Sequence, residues 1–346
     1  MARKAGTGSA ASEGNVLTAG QAAQMRKSGY ILVGGHAHSA VKVCHWTKKS
    51  IRREGECYKS KFYGIASNRC LQMSPAIPFC SHACVFCWRN TTLHNPEWGG
   101  GTDAPAEIID ACIAAQRHLL NGFPGNPAAD LTKFREALDP AHAAISLDGE
   151  PTLYPLLADM VKEFHSRGIT TFLVSNGSRP EAIRTLEAQG ALPTQLYLSL
   201  TAPDEATFTR TSVPMHENAW RKFNESLADL ARLKGKTRTV LRMTVVRGLN
   251  DSHAAGYAVL MRKSQADYVE VKAYMALGSS RKRLGPERMP THPEIKEFAR
   301  QLAQDSGYIL SDEHEPSRVV LLCRDQAAKD ARFIDIAAWR EKTPSM

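Results

Sequence analysis

Three cysteines within eight residues, Cys80, Cys84 and Cys87 in the run Cys-Ser-His-Ala-Cys-Val-Phe-Cys, have the spacing CxxxCxxC. Three thiolates on one loop can hold three irons of a 4Fe–4S cluster and leave the fourth iron without a protein ligand, whereas an ordinary ferredoxin cluster takes four cysteines. An open iron can chelate a small molecule. Structural zinc is the competing chemistry; it wants four ligands, usually as two CxxC-type pairs, and His82 would have to be the fourth. The chain has eight cysteines, and six of them fall between positions 44 and 87. Such clustering suggests disulfides in a secreted protein and metal in a reducing cytosol. Cys44, Cys57 and Cys70 are each thirteen residues apart, too far for one local loop, and on spacing alone they read as small buried hydrophobes. Cys112, on the apolar face of a helical stretch, and Cys323, ending a hydrophobic run, read as buried structural thiols.

These residues need elements to position them. Short apolar or β-branched runs occur at 143–147, 170–175, 195–200, 239–246, 268–272 and 319–323. Amphipathic helical stretches separate them at 106–120, 154–167, 180–189, 217–234, 252–263 and 292–305. Strands alternating with helices of this length predict βαβ units, a parallel sheet and an α/β fold. With a short strand before Cys80, the count suits a partial (β/α)6-type, TIM-like barrel whose chemistry sits at the C-terminal ends of its strands. An open doubly wound sheet is the structural competitor. Asp148-Gly149-Glu150-Pro151 and Ser175-Asn176-Gly177 each follow a predicted strand, as the cysteine loop does. Residues 1–20 are expected to be a disordered lead, 21–70 an N-terminal extension, 71–330 the barrel and 331–346 a tail. The Gly/Pro-rich segment 121–142 reads as a connection over the barrel mouth.

The 346 residues carry 44 Lys+Arg against 35 Asp+Glu, a formal charge of +9, with 43% hydrophobic and 23% charged residues. That balance excludes a wholly disordered chain. No apolar run approaches the roughly 20 residues that span a bilayer, and the N-terminus lacks a secretory apolar segment, so a soluble, cytoplasmic chain is expected with no membrane partner. The basic excess fits a polyanionic partner such as RNA. No heptad pattern or long apolar edge calls for an obligate oligomer, so a monomer is expected.

CxxxCxxC after a first strand, with Phe86 before the last cysteine, resembles the radical S-adenosylmethionine (SAM) superfamily. DGEP at 148–151 resembles that superfamily's GGEP motif, with Asp148 in place of the first glycine, and Ser175-Asn176 lies where the family contacts SAM. Longer stretches resemble one family, the archaeal-type tRNA 4-demethylwyosine synthases. They are SAVKVCHWTKKSIRREGECYKSKFYGI (39–65), NRCLQMSPAIPFC (68–80), FCWRN (86–90), LDGEPTLYP (147–155), LYLSLTAPDEATF (196–208), RTVLRMTVVRGLND (238–251) and VEVKAYMALGSSRKRL (269–284). The resemblance covers most of residues 28–310.

It implies a radical-SAM barrel with a cluster-binding N-terminal extension and two 4Fe–4S clusters. Cys80, Cys84 and Cys87 would hold the SAM-cleaving cluster, and Cys44, Cys57 and Cys70 the second. Gly149, Glu150, Ser175 and Asn176 would bind SAM. The implied reaction joins N1-methylguanosine at position 37 of tRNA-Phe to a two-carbon unit of pyruvate, giving tricyclic 4-demethylwyosine. The implied Schiff-base lysine is Lys59, with Lys61 the neighbour that can be confused with it; without the resemblance both read as solvated or phosphate-contacting. Candidate tRNA contacts are Lys48, Lys49, Arg52, Arg53, Arg89, Arg281, Lys282 and Arg283, with Trp46, Trp88 and Trp98 as stacking or core residues. Only about 70 residues precede the barrel, leaving no room for the flavodoxin-like domain of the eukaryotic relatives. Electrons are therefore expected from an external donor of ferredoxin or flavodoxin type.

Overall fold

The computed structural model describes residues 16–342. In chain order the N-terminal part supplies helix α1 (Ala19–Lys27), strands β1 (Ile31–Val33) and β2 (Ser39–Val41), and two short helices, α2 (His45–Ile51) and α3 (Tyr58–Tyr63). Strand β3 (Cys70–Ser74) is followed by α4 (Pro105–Leu120) and α5 (Leu131–Ala137), β4 (His142–Ile145) by α6 (Leu157–Ser166), and β5 (Thr170–Ser175) by α7 (Pro180–Ala188). Strand β6 (Gln195–Ser199) leads to α8 (Glu205–Ser212) and α9 (Ala219–Arg232), and β7 (Arg238–Val245) to α10 (Ala254–Ser264). Then come β8 (Tyr268–Ala273), α11 (His292–Ser306), β9 (Ile309–His314), β10 (Val319–Cys323), α12 (Gln326–Asp330) and α13 (Ile336–Lys342).

Among the described residues one sheet holds all ten strands, in the order β1-β2-β3-β4-β5-β6-β7-β8-β10-β9. β3 to β8 pair in parallel, each with its successor, while β1, β2, β10 and β9 add antiparallel strands at the two edges. A doubly wound sheet reverses its order at a switch point. Here the parallel order never reverses, so the sheet curls as a partial barrel with β1 and β9 as its edges.

Period two decides what each strand residue faces. Leu71, Met73, Ala143, Ile145, Leu173, Leu196, Leu198, Leu241 and Val269 face the helices and build the main core. Their alternates Phe172, Tyr197, Val240, Tyr268, Val319 and Leu321 face the barrel lumen, where they pack against Tyr58, Phe62 and Tyr63 of α3. Helix α3 therefore plugs the lumen toward the N-terminal ends of the parallel strands, the floor, while the loop at 80–87 leaves the C-terminal end of β3, the mouth. Lys61 of α3 pairs with Asp312 of β9 at 2.9 Å, and the ring of Trp46 meets His314 at 5.3 Å, so α2 and α3 also reach the far edge of the sheet.

Two expectations need correction. The segment 121–142 contains α5 and packs with Val43 and Ile51, and Asp130 donates its N–H to the Ile51 carbonyl. It feeds into the N-terminal end of β4, so it lies at the floor and not over the mouth. Of the expected lead, residues 1–15 lie outside the described residues, but Leu17 is buried against Met25, Tyr30 and Leu147, and Thr18 forms a capping box with Gln21 at the start of α1. Ordering there follows from an apolar anchor next to a good N-cap. At the other end α13 runs through part of the expected tail, and residues 343–346 lie outside the described residues. Among the described residues no helix is long and apolar enough to cross a membrane.

Candidate active site

The loop carrying Cys80, Cys84 and Cys87 is held by its backbone. Cys80 donates its N–H to Asn95 O, Ala83 to Val213 O and Val85 to Thr211 O, all at 2.9–3.0 Å. Arg283, from the loop after β8, donates to the carbonyls of Val85 (3.0 Å) and Cys87. Burial pushes all three thiols up, Cys84 to about 12, and the charges of Cys84 and Cys87 add to the shift of Cys80. Isolated thiolates are thus disfavoured, and a bound cationic centre would deprotonate and neutralise them. Among the described residues no three His, Cys, Asp or Glu side chains converge on a single metal ion. The ring of His82 packs instead against Phe208 and His216. Three soft sulfur donors on one clamped loop fit an iron–sulfur cluster.

The two loops beneath it interlock with it. Gly149 has φ +69°, and a Cβ there would lie 1.8 Å from the Ala76 carbonyl oxygen, so only glycine permits this approach. Glu150 donates its N–H to Phe79 O at 2.7 Å, and its buried carboxylate accepts from Asn176 N (2.7 Å), Thr152 N (3.1 Å) and Thr152 Oγ1 (2.7 Å). Burial raises its pKa and those hydrogen bonds oppose the rise. Ser175 Oγ accepts from Gly177 N, and Asn176 Nδ2 reaches Ser81 Oγ at 3.0 Å and Cys80 Sγ at 3.9 Å. The four residues expected to bind SAM thus line the ends of β4 and β5 directly against the cysteine loop.

Cys44 immediately precedes α2, Cys57 immediately precedes α3, and Cys70 opens β3. The fold brings these three distant residues together. After burial, the charge of Cys44 is the strongest influence raising both Cys57 (to about 12) and Cys70, and Cys57 in turn acts on Cys70. Ser67 Oγ accepts from Cys57 N at 2.8 Å and Thr47 Oγ1 donates to Ser67 O, tying the two helix starts together.

Lys59 projects from α3 into the lumen. It is 8% exposed, with Nζ 4.4 Å from the ring centroid of Tyr197 and 4.9 Å from that of Phe172. Burial pushes its pKa down; Glu270 opposes that shift, and Arg242 adds to it. Glu270 is itself held by the hydroxyls of Tyr58 and Tyr63, both at 2.9 Å. Among the described residues no carboxylate pairs with Lys59. Lys61 points the other way, to Asp312 and Glu313 O.

Residues 74–260 match the Radical SAM superfamily model and residues 263–324 match the model for wyosine base formation. The S-adenosyl-L-methionine-dependent tRNA 4-demethylwyosine synthase of Pyrococcus horikoshii is 49% identical over 310 residues, covering 87% of each chain. The chain belongs to the tRNA 4-demethylwyosine synthase family. The synthase of Methanocaldococcus jannaschii is 38% identical over 309 residues, covering 86% of this chain and 94% of that one. A solved structure of TYW1 with a lysine-pyruvate adduct bound matches with a TM-score of 0.80 at 36% identity, over 93% of this chain and 99% of that one. As a radical-SAM tRNA 4-demethylwyosine synthase, the enzyme uses SAM and a 4Fe–4S cluster.

The structure separates the synthase's eight expected tRNA contacts. Arg52 pairs with Glu54 and Arg53 with Asp130, Lys49 lies over the Trp46 ring, and Lys48 is half-buried on α2. Arg281 donates to Ala276 O, and Arg283 clamps the cysteine loop. Lys282 is exposed, whereas Arg89 is buried. Trp98 packs among His38, Phe79 and Tyr154. Cys112 and Cys323 are fully buried. Sequence reasoning missed Arg242, Glu270 and Lys272, although each is a charged residue inside an apolar strand run, at a position whose alternate neighbours face the helices.

Proposed function

We propose that this synthase joins N1-methylguanosine at position 37 of tRNA-Phe to a two-carbon unit of pyruvate, as a carbon–carbon lyase. The N-terminal extension, residues 21–70, carries a second 4Fe–4S cluster on Cys44, Cys57 and Cys70, and residues 71–330 form the radical-SAM barrel. When bound, the cluster on Cys80, Cys84 and Cys87 supplies the electron that cleaves SAM, drawn from an external donor of ferredoxin or flavodoxin type. Gly149, Glu150, Ser175 and Asn176 shape the SAM side of that loop.

The observation that carries this reading is Lys59. Its amine sits in the lumen between mouth and floor, without a carboxylate partner among the described residues, and burial favours its neutral form. A neutral amine adds to the ketone carbon of pyruvate and, with loss of water, forms a Schiff base. Phe172 and Tyr197 wall the amine, and Glu270, fixed by two tyrosines, is the nearby group able to exchange a proton with it. A TYW1 with a lysine-pyruvate adduct supports the same chemistry here. The enzyme is taken to act as a cytoplasmic monomer.

Borohydride reduction in the presence of pyruvate tests this. The peptide carrying Lys59 is expected to gain the mass of a reduced pyruvate adduct in wild type and in Lys61→Ala, and no adduct is expected in Lys59→Ala. An adduct retained in Lys59→Ala, or none in wild type, would remove the Schiff-base role.

A further inference from the structure

Beside the cysteine loop lies a cavity of about 500 Å3 that the reading above leaves without an occupant. Its walls include Tyr30, Lys42, Trp88, Arg89, Asp148 and Lys282. Arg89 is only 5% exposed, yet its Nε and Nη2 have no hydrogen-bond partner among the described residues. Its guanidinium carbon stands 3.1 Å from the Trp88 ring centroid and 4.6 Å from that of Tyr30. Asp148 acts on it through its charge but does not bond it: that carboxylate accepts from the Tyr30 hydroxyl and Gly149 N, pairs with His94, and forms no ion pair with Arg89 among the described residues. Lys42 Nζ lies 5.5 Å from the Trp88 centroid and 5.2 Å from that of Tyr30, and donates to Ser28 O.

A buried guanidinium with free N–H groups calls for an oxyanion with more than one acceptor, because unpaired buried donors are costly. Three cations face one carboxylate, so the complement is anionic. Trp88 adds a planar surface that is 38% exposed. It is held in place, since Ser279 N donates to Trp88 O at 2.9 Å and Gly278 packs so closely on that carbonyl that a Cβ would lie 2.3 Å from it. Phosphate and planar ring together describe a nucleotide, and single-stranded RNA is read by stacking on aromatic side chains beside cationic backbone contacts.

We propose that this cavity is a nucleotide subsite: it holds one nucleotide of the tRNA anticodon loop next to the modified one, with its phosphate on Arg89 and Lys42 and its base against Trp88. The proposal rests on the tRNA substrate assigned above. The shared chemistry, an oxyanion on Arg89, has one other source, the carboxylate of SAM.

Fluorescence anisotropy with a labelled anticodon stem-loop bearing N1-methylguanosine, on anaerobically reconstituted holoenzyme, decides between them when SAM affinity is measured on the same samples. Lys42→Gln is expected to weaken RNA binding about tenfold and to flatten the dependence of log K on log salt by about 0.7, the value for one phosphate contact on a single strand. Arg89→Met is expected to weaken RNA binding further. Because that variant can disturb the cysteine loop, Lys42→Gln reads the same cavity from a lining residue outside that loop. RNA affinity and salt slope unchanged in both variants would overturn the proposal, as would a loss of SAM affinity with RNA affinity intact. A wild-type holoenzyme that does not bind the stem-loop would overturn the tRNA reading and the subsite together.

Discussion

Cys80, Cys84 and Cys87 come from one loop of eight residues at the barrel mouth, whereas Cys44, Cys57 and Cys70 come from the starts of two helices and a strand and meet only when α3 is seated in the lumen. The first trio needs little more than its own spacing and a clamp from Thr211, Val213 and Arg283. The second is a product of tertiary packing: the contacts of Tyr58, Phe62 and Tyr63 with the lumen-facing strand residues seat α3, and the bond from Cys57 N to Ser67 Oγ then keeps Cys57 near Cys70. Lys59 belongs to the second region, because the helix that delivers Cys57 also delivers the amine.

The sharpest break between the two regions is a pair of single substitutions. Cys84→Ala is expected to abolish reductive SAM cleavage, while Cys57→Ala leaves some uncoupled cleavage but no tricyclic product. Methionine and 5′-deoxyadenosine release, followed beside nucleoside analysis of the tRNA, reads both. Equal loss of cleavage in the two variants would reduce the second trio to a structural role.

A smaller effect is expected at the mouth from Gly149→Ala. The added methyl would drive into the Ala76 carbonyl at a residue with φ +69°, at a cost of about 2 kcal/mol or more. Thermal unfolding should fall by several degrees and SAM affinity should weaken, while pyruvate trapping on Lys59 persists. Loss of trapping in that variant would show that mouth and floor are not independent.

The smallest effect is one that should touch neither trio. Burial holds His165 neutral, with its pKa lowered to about 4. Below its ordinary pKa of 6.5 the unfolded chain takes up a proton that the folded chain refuses until about pH 4, so stability falls as pH drops through that window, by roughly 1.4 kcal/mol per pH unit. His165→Gln, which can still bond Thr171 Oγ1, should flatten the dependence of the melting temperature on pH between 6.5 and 5 without changing iron content. An unchanged slope would place the acid sensitivity elsewhere, His142 and its hydrogen bond to Ala66 N at the floor being the next candidate.

The same contrast explains what was legible in the sequence. Five of the six parallel strands, β4 to β8, announced themselves because strands buried on both faces read as apolar runs, and Gly149 and Asn176 could be placed at their ends. The first, β3, has mixed burial and was expected only as a short strand before Cys80, while the apolar run at 319–323, read as one more strand of the parallel sheet, pairs antiparallel as β10. Strand β9 was missed, since its sequence ILSDEH is an edge strand with mixed burial and no apolar run. Helix α3 was illegible as a plug: YKSKFY is six residues long, and nothing local says that its aromatic face fills a barrel. For the same reason Lys59 and Lys61 were indistinguishable by residue type, two places apart, until the lumen separated them. Arg242 and Glu270 sat in plain view inside apolar runs, and the inward period of β7 and β8 was the signal that would have found them.

Iron and sulfide per chain after anaerobic reconstitution, measured on wild type and on the variant with Cys80, Cys84 and Cys87 all changed to alanine, tests the two-region account most directly. About eight irons falling to about four is the predicted result, because the floor trio would keep its own cluster when the mouth trio is gone. About four falling to none would contradict it, leaving the chain a single-cluster radical-SAM enzyme whose second trio is structural.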